Sequence, residues 1–178
     1  MNCYLCFKSD LKIRHKGVRD NKLINVIECS NCGLVSLDSF SHITDDFYEN
    51  SKMHSSSISI DSWLEQTARD DVRRLNFSKN KVKNQNILDF GCGNGGFLLK
   101  AKEFAKNVIG IELENQFKPF FKRKNLMVYD SINHLKEISF QKFDLITAFH
   151  VFEHLKEPLD TLKSLNSFLA DNGEIIIE

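Results

Sequence analysis

A short apolar segment that runs directly into a glycine-rich turn constrains the fold of this chain more than any other feature. The segment from Ile87 to Phe97 reads ILDFGCGNGGF, which predicts a strand, a tight loop and the start of a helix. Glycines allow the backbone of such a loop to pass close beneath a ligand. We therefore expect a ligand-binding loop at the carboxyl end of this strand.

The rest of the chain continues the alternation of strands and helices. Further strands are expected at 108–112, 127–129, 143–149 and 174–178, with a turn at 171–173 and an amphipathic helix at 62–77 before the first strand. Strands that alternate with helices predict an α/β fold, in which a doubly wound, mostly parallel sheet carries helices on both faces.

Four cysteines near the N-terminus form two Cys-x2-Cys pairs, Cys3 with Cys6 and Cys29 with Cys32. Zinc prefers four soft ligands in a tetrahedron, and each pair presents two thiolates from one side. A redox pair is the alternative, but neither pair lies beside a βαβ unit. We therefore predict a zinc ribbon over 1–40. Its four protein ligands leave no open coordination position, so the ion is expected to be structural.

Composition and charge narrow the class of protein. The chain has 24 basic and 24 acidic residues, a zero net charge that disfavours nucleic acid as the main partner. Its first residues show no signal-peptide pattern, and no apolar run approaches eighteen residues. We expect a cytoplasmic protein without a membrane partner, whose cysteines bind metal or lie in the core. The fifth cysteine, Cys92, has no partner at ligand spacing and is excluded from the metal site.

The glycine-rich turn alone fits two kinds of cofactor. Gly91, Gly93 and Gly96 satisfy the G-x-G-x-x-G pattern, so a nicotinamide or flavin enzyme is one alternative. In a dinucleotide site, however, the loop faces a pyrophosphate, and the Asp89 carboxylate works against that anion. S-adenosylmethionine carries a sulfonium and an ammonium, which a carboxylate favours. Glu112 can accept hydrogen bonds from ribose hydroxyls in either case and does not discriminate.

The order of motifs resembles the class I S-adenosylmethionine-dependent methyltransferases. The matching segments are the glycine loop, Glu112, Phe-Asp-Leu-Ile at 143–146 and Glu-His-Leu at 153–155. The resemblance covers about 87–178 and implies S-adenosylmethionine as the cofactor. Members of this class complete the sheet with two more strands, so we expect a core that is truncated after its fifth strand.

The same resemblance implies roles for individual residues. Asp89, Gly91 and Gly93 line the methionine part of the cofactor, and Cys92 and Gly95 of the same segment are also cofactor-binding. Glu112 holds the ribose, while Asp130 and Ser131 flank the adenine. The alternative for Asp130 is a loop residue that caps the next helix.

A narrower resemblance bears on the substrate. The ribbon ends in Cys-Gly-Leu-Val, and an Asp-Phe-Tyr segment and a helix follow, which is similar to bacterial sugar C-methyltransferases. It implies a small-molecule acceptor, a nucleotide-linked sugar or a surface-polysaccharide precursor. The predicted domains are the ribbon (1–40), a linker with a cap helix (41–85) and the core (86–178). Two alternatives remain: a zinc-ribbon methyltransferase of ribosomal or transfer RNA, and a truncated, non-catalytic zinc-ribbon interaction module.

Candidate catalytic residues follow the fourth strand of the core. Methyl transfer mainly requires alignment of the acceptor, but a hydroxyl or an acidic C–H also requires a base. By resemblance to the sugar C-methyltransferases, His154 and Glu153 are candidates for this acid–base role, with His150 beside them. The alternative is that the Glu-His pair only shapes the loop. Tyr48 and His54 of the linker are further candidates.

Overall fold

The computed structural model describes residues 1–19, 21–40, 59–138 and 142–178. The described chain forms two compact units: one holds 1–40 with Lys156–Thr161, and the other holds 59–155 with Leu162–Glu178. Much of the predicted linker, with Tyr48 and His54, lies outside the described residues, so the three predicted domains stay a prediction. No described helix combines the length and the apolar character that crossing a membrane requires.

The first unit is built on a small antiparallel sheet. Its strands β1 (Leu11–His15), β2 (Val26–Cys29) and β3 (Val35–Leu37) lie in the order β1-β2-β3. Its buried apolar side chains include Ile24 and Ile27, which lie with the thiols of Cys3 and Cys29. A core of this size needs an additional crosslink to hold a fold together.

The second unit contains a five-stranded sheet in which every neighbouring pair is parallel. Its strands are β4 (Asn86–Phe90), β5 (Asn107–Ile111), β6 (Met127–Tyr129), β7 (Phe143–Ala148) and β8 (Leu169–Ile177), in the order β6-β5-β4-β7-β8. The chain passes from β4 to one side of the sheet and later returns to its other side. In open α/β sheets, ligands bind beyond the carboxyl ends of the strands at such a change of direction, which here lies between β4 and β7.

Helices cover both faces of this sheet. They are α1 (Ile60–Val82), α2 (Gly96–Ala101), α3 (Lys118–Arg123), α4 (Ile132–Ile138) and α5 (Pro158–Asn166). Ile87 of β4 packs with α1 and α2, whereas its neighbour Leu88 packs with Leu135 and Leu165 of α4 and α5. Successive strand residues point to opposite faces, so the two clusters lie on opposite sides. The predicted doubly wound α/β fold is confirmed.

Helix α1 is longer than the predicted helix at 62–77. It begins after Ser59, whose hydroxyl accepts the backbone N–H of Ser62 at 3.2 Å, so Ser59 takes the capping role. The polar residues that follow position 77 continue the helix because Val82 among them is fully buried. The chain then turns at Asn84, which has a positive φ of 59° and is one of the few residue types that tolerate it.

The predicted turn at 171–173 lies inside β8. Phe143 and Leu145 of β7 are two residues apart, but they pair with Leu169 and Glu174, which are five apart. The extra residues of β8 therefore bulge out of the ladder, and the strand continues beyond them. The Asp-Asn-Gly sequence therefore marks a local irregularity of the strand. The prediction that the strand begins only after this sequence is wrong, because β8 already begins at Leu169.

Candidate cofactor pocket and metal centre

The four predicted metal ligands lie together in the first unit. The Sγ atoms of Cys3 and Cys32 are 3.6 Å apart and those of Cys6 and Cys29 are 3.5 Å apart, with all four within 4.8 Å of one another. A tetrahedral zinc ion with Zn–S bonds of about 2.3 Å places its sulfurs about 3.8 Å apart. The cluster of four thiols, called the cysteine cluster below, therefore fits zinc with only small adjustments.

Two similar backbone turns present these thiols. The N–H of Phe7 donates to the carbonyl of Cys3, and the N–H of Gly33 donates to the carbonyl of Cys29, both at 2.8 Å. Phe7 and Gly33 have positive φ values of 60° and 75°. A hydrogen bond from the Lys8 backbone, followed by those from the other thiols, lowers the pKa of Cys6 to about 6 against the effect of burial. Such a thiol readily supplies the thiolate that zinc requires.

The glycine loop (residues 91–96) is tied to the end of β5. The N–H groups of Gly91 and Cys92 both donate to the carbonyl of Ile111, at 2.9 and 3.0 Å. The N–H of Gly93 donates to the Glu112 carboxylate at 2.7 Å. Gly91 and Gly93 have positive φ values of 71° and 54°, a conformation that glycine adopts without strain. The structure thus brings the glycine loop together with Glu112, the residue predicted to bind the ribose.

Asp89 is a buried carboxyl at the end of the central strand. Only 2% of it is exposed, and the Thr147 hydroxyl donates to its Oδ1 atom at 2.6 Å. Burial raises the pKa of Asp89 to about 7, although Thr147 and the Arg74 cation oppose the shift. Among the described residues, no hydrogen bond to its Oδ2 atom is found. A ligand cation matches this group, whereas a pyrophosphate would be repelled by it.

Glu112 directs its carboxylate across the glycine loop. Its two oxygens accept the backbone N–H groups of Gly93 at 2.7 Å and Glu114 at 3.0 Å. Burial raises the pKa of Glu112, and these backbone hydrogen bonds oppose the shift. Each carboxylate oxygen can accept a further hydrogen bond, so the group remains suited to a pair of ribose hydroxyls.

Asp130 and Ser131 follow the carboxyl end of β6. The Ser131 hydroxyl accepts the N–H of His134 at 3.1 Å at the start of α4, which makes it a helix cap. Asp130 contacts His134 Nδ1 at 2.9 Å and Lys118 Nζ at 3.3 Å. The hydrogen bond with His134, with help from Lys118, lowers the pKa of Asp130. Their assignment to the adenine stays a prediction.

Two loop residues contribute through their backbone. The Cys92 thiol lies in the core beside Leu98, and burial raises its pKa well above the usual range. A methyl group at Gly95 would lie 3.1 Å from Leu126 and 3.2 Å from Phe121. Neither position therefore offers a side chain to a ligand, and any contact with a cofactor is made by the main chain.

The three catalytic candidates lie together beyond β7. His150 Nδ1 is 3.5 Å from the Glu153 carboxylate, and His154 Nε2 is 4.0 Å from the same oxygen. His150 has a positive φ of 56°, which is uncommon for a residue other than glycine, although histidine adopts it more often than most. A methyl group at Gly91 would collide with the Val151 side chain, so this loop touches the glycine loop. Candidate catalytic and cofactor-binding residues thus share one site.

The sequence did not reveal that Glu178 lies beside His150. His150 Nε2 lies 3.3 Å from Glu178, whose carboxylate also accepts hydrogen bonds from Arg73 at 2.8 Å and Arg74 at 2.9 Å. Against the effect of burial, the two arginines lower the pKa of Glu178. The Arg74 guanidinium also lies 4.7 Å above the Phe149 ring. Arg73 and Arg74 are polar residues of the amphipathic helix predicted at 62–77, and more than a hundred residues separate them from Glu178.

Comparison with known families identifies the class of this fold and site. A methyltransferase domain family matches residues 60–178, from the first residue of α1 onwards. The chain belongs to this methyltransferase family, which confirms the predicted enzyme class. A solved structure of the N-methyltransferase NodS from Bradyrhizobium japonicum WM9, in complex with S-adenosyl-L-homocysteine, superposes with a TM-score of 0.53. It is 17% identical over 72% of this chain and 65% of NodS, and it supports the class I fold.

Curated relatives are more similar in sequence. The tRNA U34 carboxymethyltransferase of Helicobacter pylori (strain HPAG1) is 33% identical over 134 residues, which are 69% of this chain and 50% of that protein. The enzyme of the same name from Aliivibrio salmonicida is 33% identical over 54% of this chain and 32% of its own length. The chain therefore spans half or less of the length of these relatives.

The cysteine cluster generates a test of metal content. We expect the purified chain to contain one zinc per molecule by elemental analysis, because its four thiols match a tetrahedral site. Cys29→Ser should lose most of this zinc. Cys92→Ala, which removes a buried thiol outside the cluster, should retain it. Full zinc content in Cys29→Ser would contradict the assignment.

The burial of Asp89 generates a test of stability. Its ordinary pKa of 3.8 rises to about 7 in the fold, so its contribution to stability is full below pH 4 and is lost as the pH rises towards 7. Asp89→Asn, which is always neutral, should therefore raise the free energy of unfolding at pH 8 by about 1–3 kcal/mol, and by less at pH 5. Urea unfolding of the ligand-free chains measures the difference. A variant that is less stable than the wild type at both pH values contradicts this account.

Proposed function

We propose that the second unit binds S-adenosylmethionine at the carboxyl ends of β4 and β5 and catalyses methyl transfer. The observation that carries this proposal is the buried Asp89 carboxyl, which stands two residues before the glycine loop and has no hydrogen bond to Oδ2 within the described chain. When bound, S-adenosylmethionine supplies a methyl group on a positively charged sulfur. Family membership agrees with this chemistry.

The residues of the pocket have separate tasks in this proposal. Asp89 faces the positively charged methionine part, and Glu112 accepts the ribose hydroxyls. The main chain of the glycine loop, including Gly91, Cys92, Gly93 and Gly95, permits the close approach of the cofactor. Asp130 and Ser131 border the adenine from the end of β6. The cysteine cluster holds a structural zinc ion, which stabilises the small first unit and takes no part in the chemistry.

His150 is the best placed of the three candidates to accept a proton from the acceptor. Its Nδ1 and Nε2 atoms lie 3.5 and 3.3 Å from the carboxylates of Glu153 and Glu178. The neutral ring donates to one carboxylate, and the acceptor displaces the other to reach the unprotonated nitrogen. His150 is also next in sequence to Val151, which packs against the glycine loop. Glu153 positions the ring, and His154 is the second candidate for this role. A base is required where the acceptor is a hydroxyl or an acidic C–H.

Two acceptors are candidates. A sugar-type small metabolite, such as a nucleotide-linked sugar, is favoured by the similarity of the ribbon and its following segment to sugar C-methyltransferases. A transfer RNA is favoured by the curated relatives, which are named as modifying tRNA and are 33% identical to this chain. The zero net charge of the chain is less favourable for the second candidate.

Calorimetric titration tests the cofactor. The zinc-loaded chain should bind S-adenosylhomocysteine with a saturable signal and should not bind NADH, because the buried carboxyl near the glycine loop opposes a pyrophosphate. Circular dichroism establishes that the titrated chain is folded. Binding of NADH alone would identify a dinucleotide site. Binding of neither ligand by a folded chain would support the alternative of a non-catalytic interaction module.

A methyl-transfer assay tests the acceptor and the base. Labelled S-adenosylmethionine is incubated with nucleotide sugars or with bulk tRNA, and transfer to the sugar class is the expected result. His150→Ala should lower the rate by roughly 10²–10⁴-fold with unchanged affinity for S-adenosylhomocysteine. His15→Ala in the first unit is the matched control and should leave the rate unchanged. Transfer to tRNA alone would replace the sugar acceptor, and full activity of His150→Ala would shift the role to His154.

A further inference from the structure

Trp63 of α1 lies directly against the glycine loop. A methyl group at Gly93 would be 3.3 Å from the indole Cζ2 atom. The N–H of the same glycine donates to the Glu112 carboxylate at 2.7 Å. The indole is half-buried and packs on Phe117, with the two ring centroids 5.2 Å apart. Trp63 and Glu112, the residue predicted to bind the ribose, therefore both contact Gly93.

A chain of hydrogen bonds joins α1 to the glycine loop one turn after Trp63. The Asn94 amide donates to the Thr67 hydroxyl at 2.9 Å, and this hydroxyl donates to the Asp71 carboxylate at 3.0 Å. The other end of the Asn94 side chain accepts the N–H of Gly96 at 2.9 Å. Asn94 and Thr67 each make two of these hydrogen bonds, so the helix and the loop hold each other in place.

Helix α1 and the glycine loop also approach each other closely at Asp71 and Gly96. A methyl group at Gly96 would collide with the Asp71 carboxylate, so only glycine permits this approach of helix and loop. Asp71 is 3% exposed, and burial raises its pKa. A carboxyl is not buried in this way unless the surrounding structure fixes it. The position of α1, and with it the position of the Trp63 indole, is therefore determined by the loop.

We propose that Trp63 is a cofactor-binding residue, whose indole forms the wall of the pocket beside Glu112 and covers the ribose and methionine parts of S-adenosylmethionine. This inference rests on the proposed function and extends the pocket beyond the loops that follow the strands. The ring offers a flat apolar surface to the C–H groups of the ligand, and its π face attracts positive charge. Helix α1 is then part of the cofactor site rather than a separate cap.

The composition of the chain provides a direct readout, because Trp63 is its only tryptophan. Titration with S-adenosylhomocysteine should change the tryptophan emission with saturation and should reduce quenching by acrylamide, since the ligand covers the exposed part of the ring. The midpoint should agree with the dissociation constant measured by calorimetry.

Variants of α1 separate a contact from a structural effect. Trp63→Ala should weaken binding of S-adenosylhomocysteine by about tenfold or more, whereas Trp63→Phe, which keeps an aromatic wall, should lose less. If the alanine variant does not fold, Trp63→Leu serves instead, because it preserves apolar packing at this position. This variant should also bind weakly. Phe77→Ala is the matched control, because Phe77 lies on the same helix with 74% of its surface exposed. It should bind within about twofold of the wild type.

The outcomes distinguish this inference from the function on which it rests. Wild-type binding with an unchanged emission, together with wild-type affinity in folded Trp63→Leu, overturns the role of Trp63 and leaves the cofactor assignment intact. A folded wild-type chain that does not bind S-adenosylhomocysteine overturns the proposed function and this inference together.

Discussion

The burial of an ionisable carboxyl in the central strand is the constraint on which the second unit depends. Asp89 lies between the two neighbouring strands of the sheet, where water does not compensate its charge, and the Thr147 hydroxyl satisfies only one of its oxygens. The Arg74 cation opposes the rise in its pKa without cancelling it. A fold optimised for stability alone would place an apolar residue here. A buried carboxyl of this kind is typical of a functional site, and the proposed cofactor pocket depends on it.

Local signals in the sequence predicted the parts of the site that are close in sequence. The glycine loop and the two Cys-x2-Cys pairs are read from spacing, because backbone turns of a few residues fix their geometry. The five core strands were also found, since short apolar segments between helices have a clear pattern. Residues 171–173 show the limit of such signals, because the same Asp-Asn-Gly sequence suits either a turn or a bulge, and only the pairing of β8 with β7 decides between them.

Contacts between distant segments could not be predicted in the same way. The sequence places Arg74 on the polar face of an amphipathic helix, but its guanidinium is nearly buried because Glu178 and Phe149 meet it there. Trp63 similarly follows the apolar period of α1, and nothing in that period indicates that it faces Gly93 rather than a core residue. Such partners are set by the packing of the helix on the sheet, which depends on all of its contacts at once.

The distribution of charge divides the site into two regions. The carboxyls of Asp89 and Glu112 lie inside, with raised pKa values caused by burial, whereas the charges around His150 lie at an accessible rim. Carboxyls in such different environments suit different tasks, an acidic interior for a cationic cofactor and a mixed rim for the acceptor. Both acceptor candidates carry phosphate, which the acidic interior disfavours, and the Arg73 cation at the rim is already paired with the carboxylates of Glu178 and Asp70. Net charge alone therefore separates these candidates poorly, and under the proposed mechanism they differ in the chemistry of the acceptor atom that meets His150.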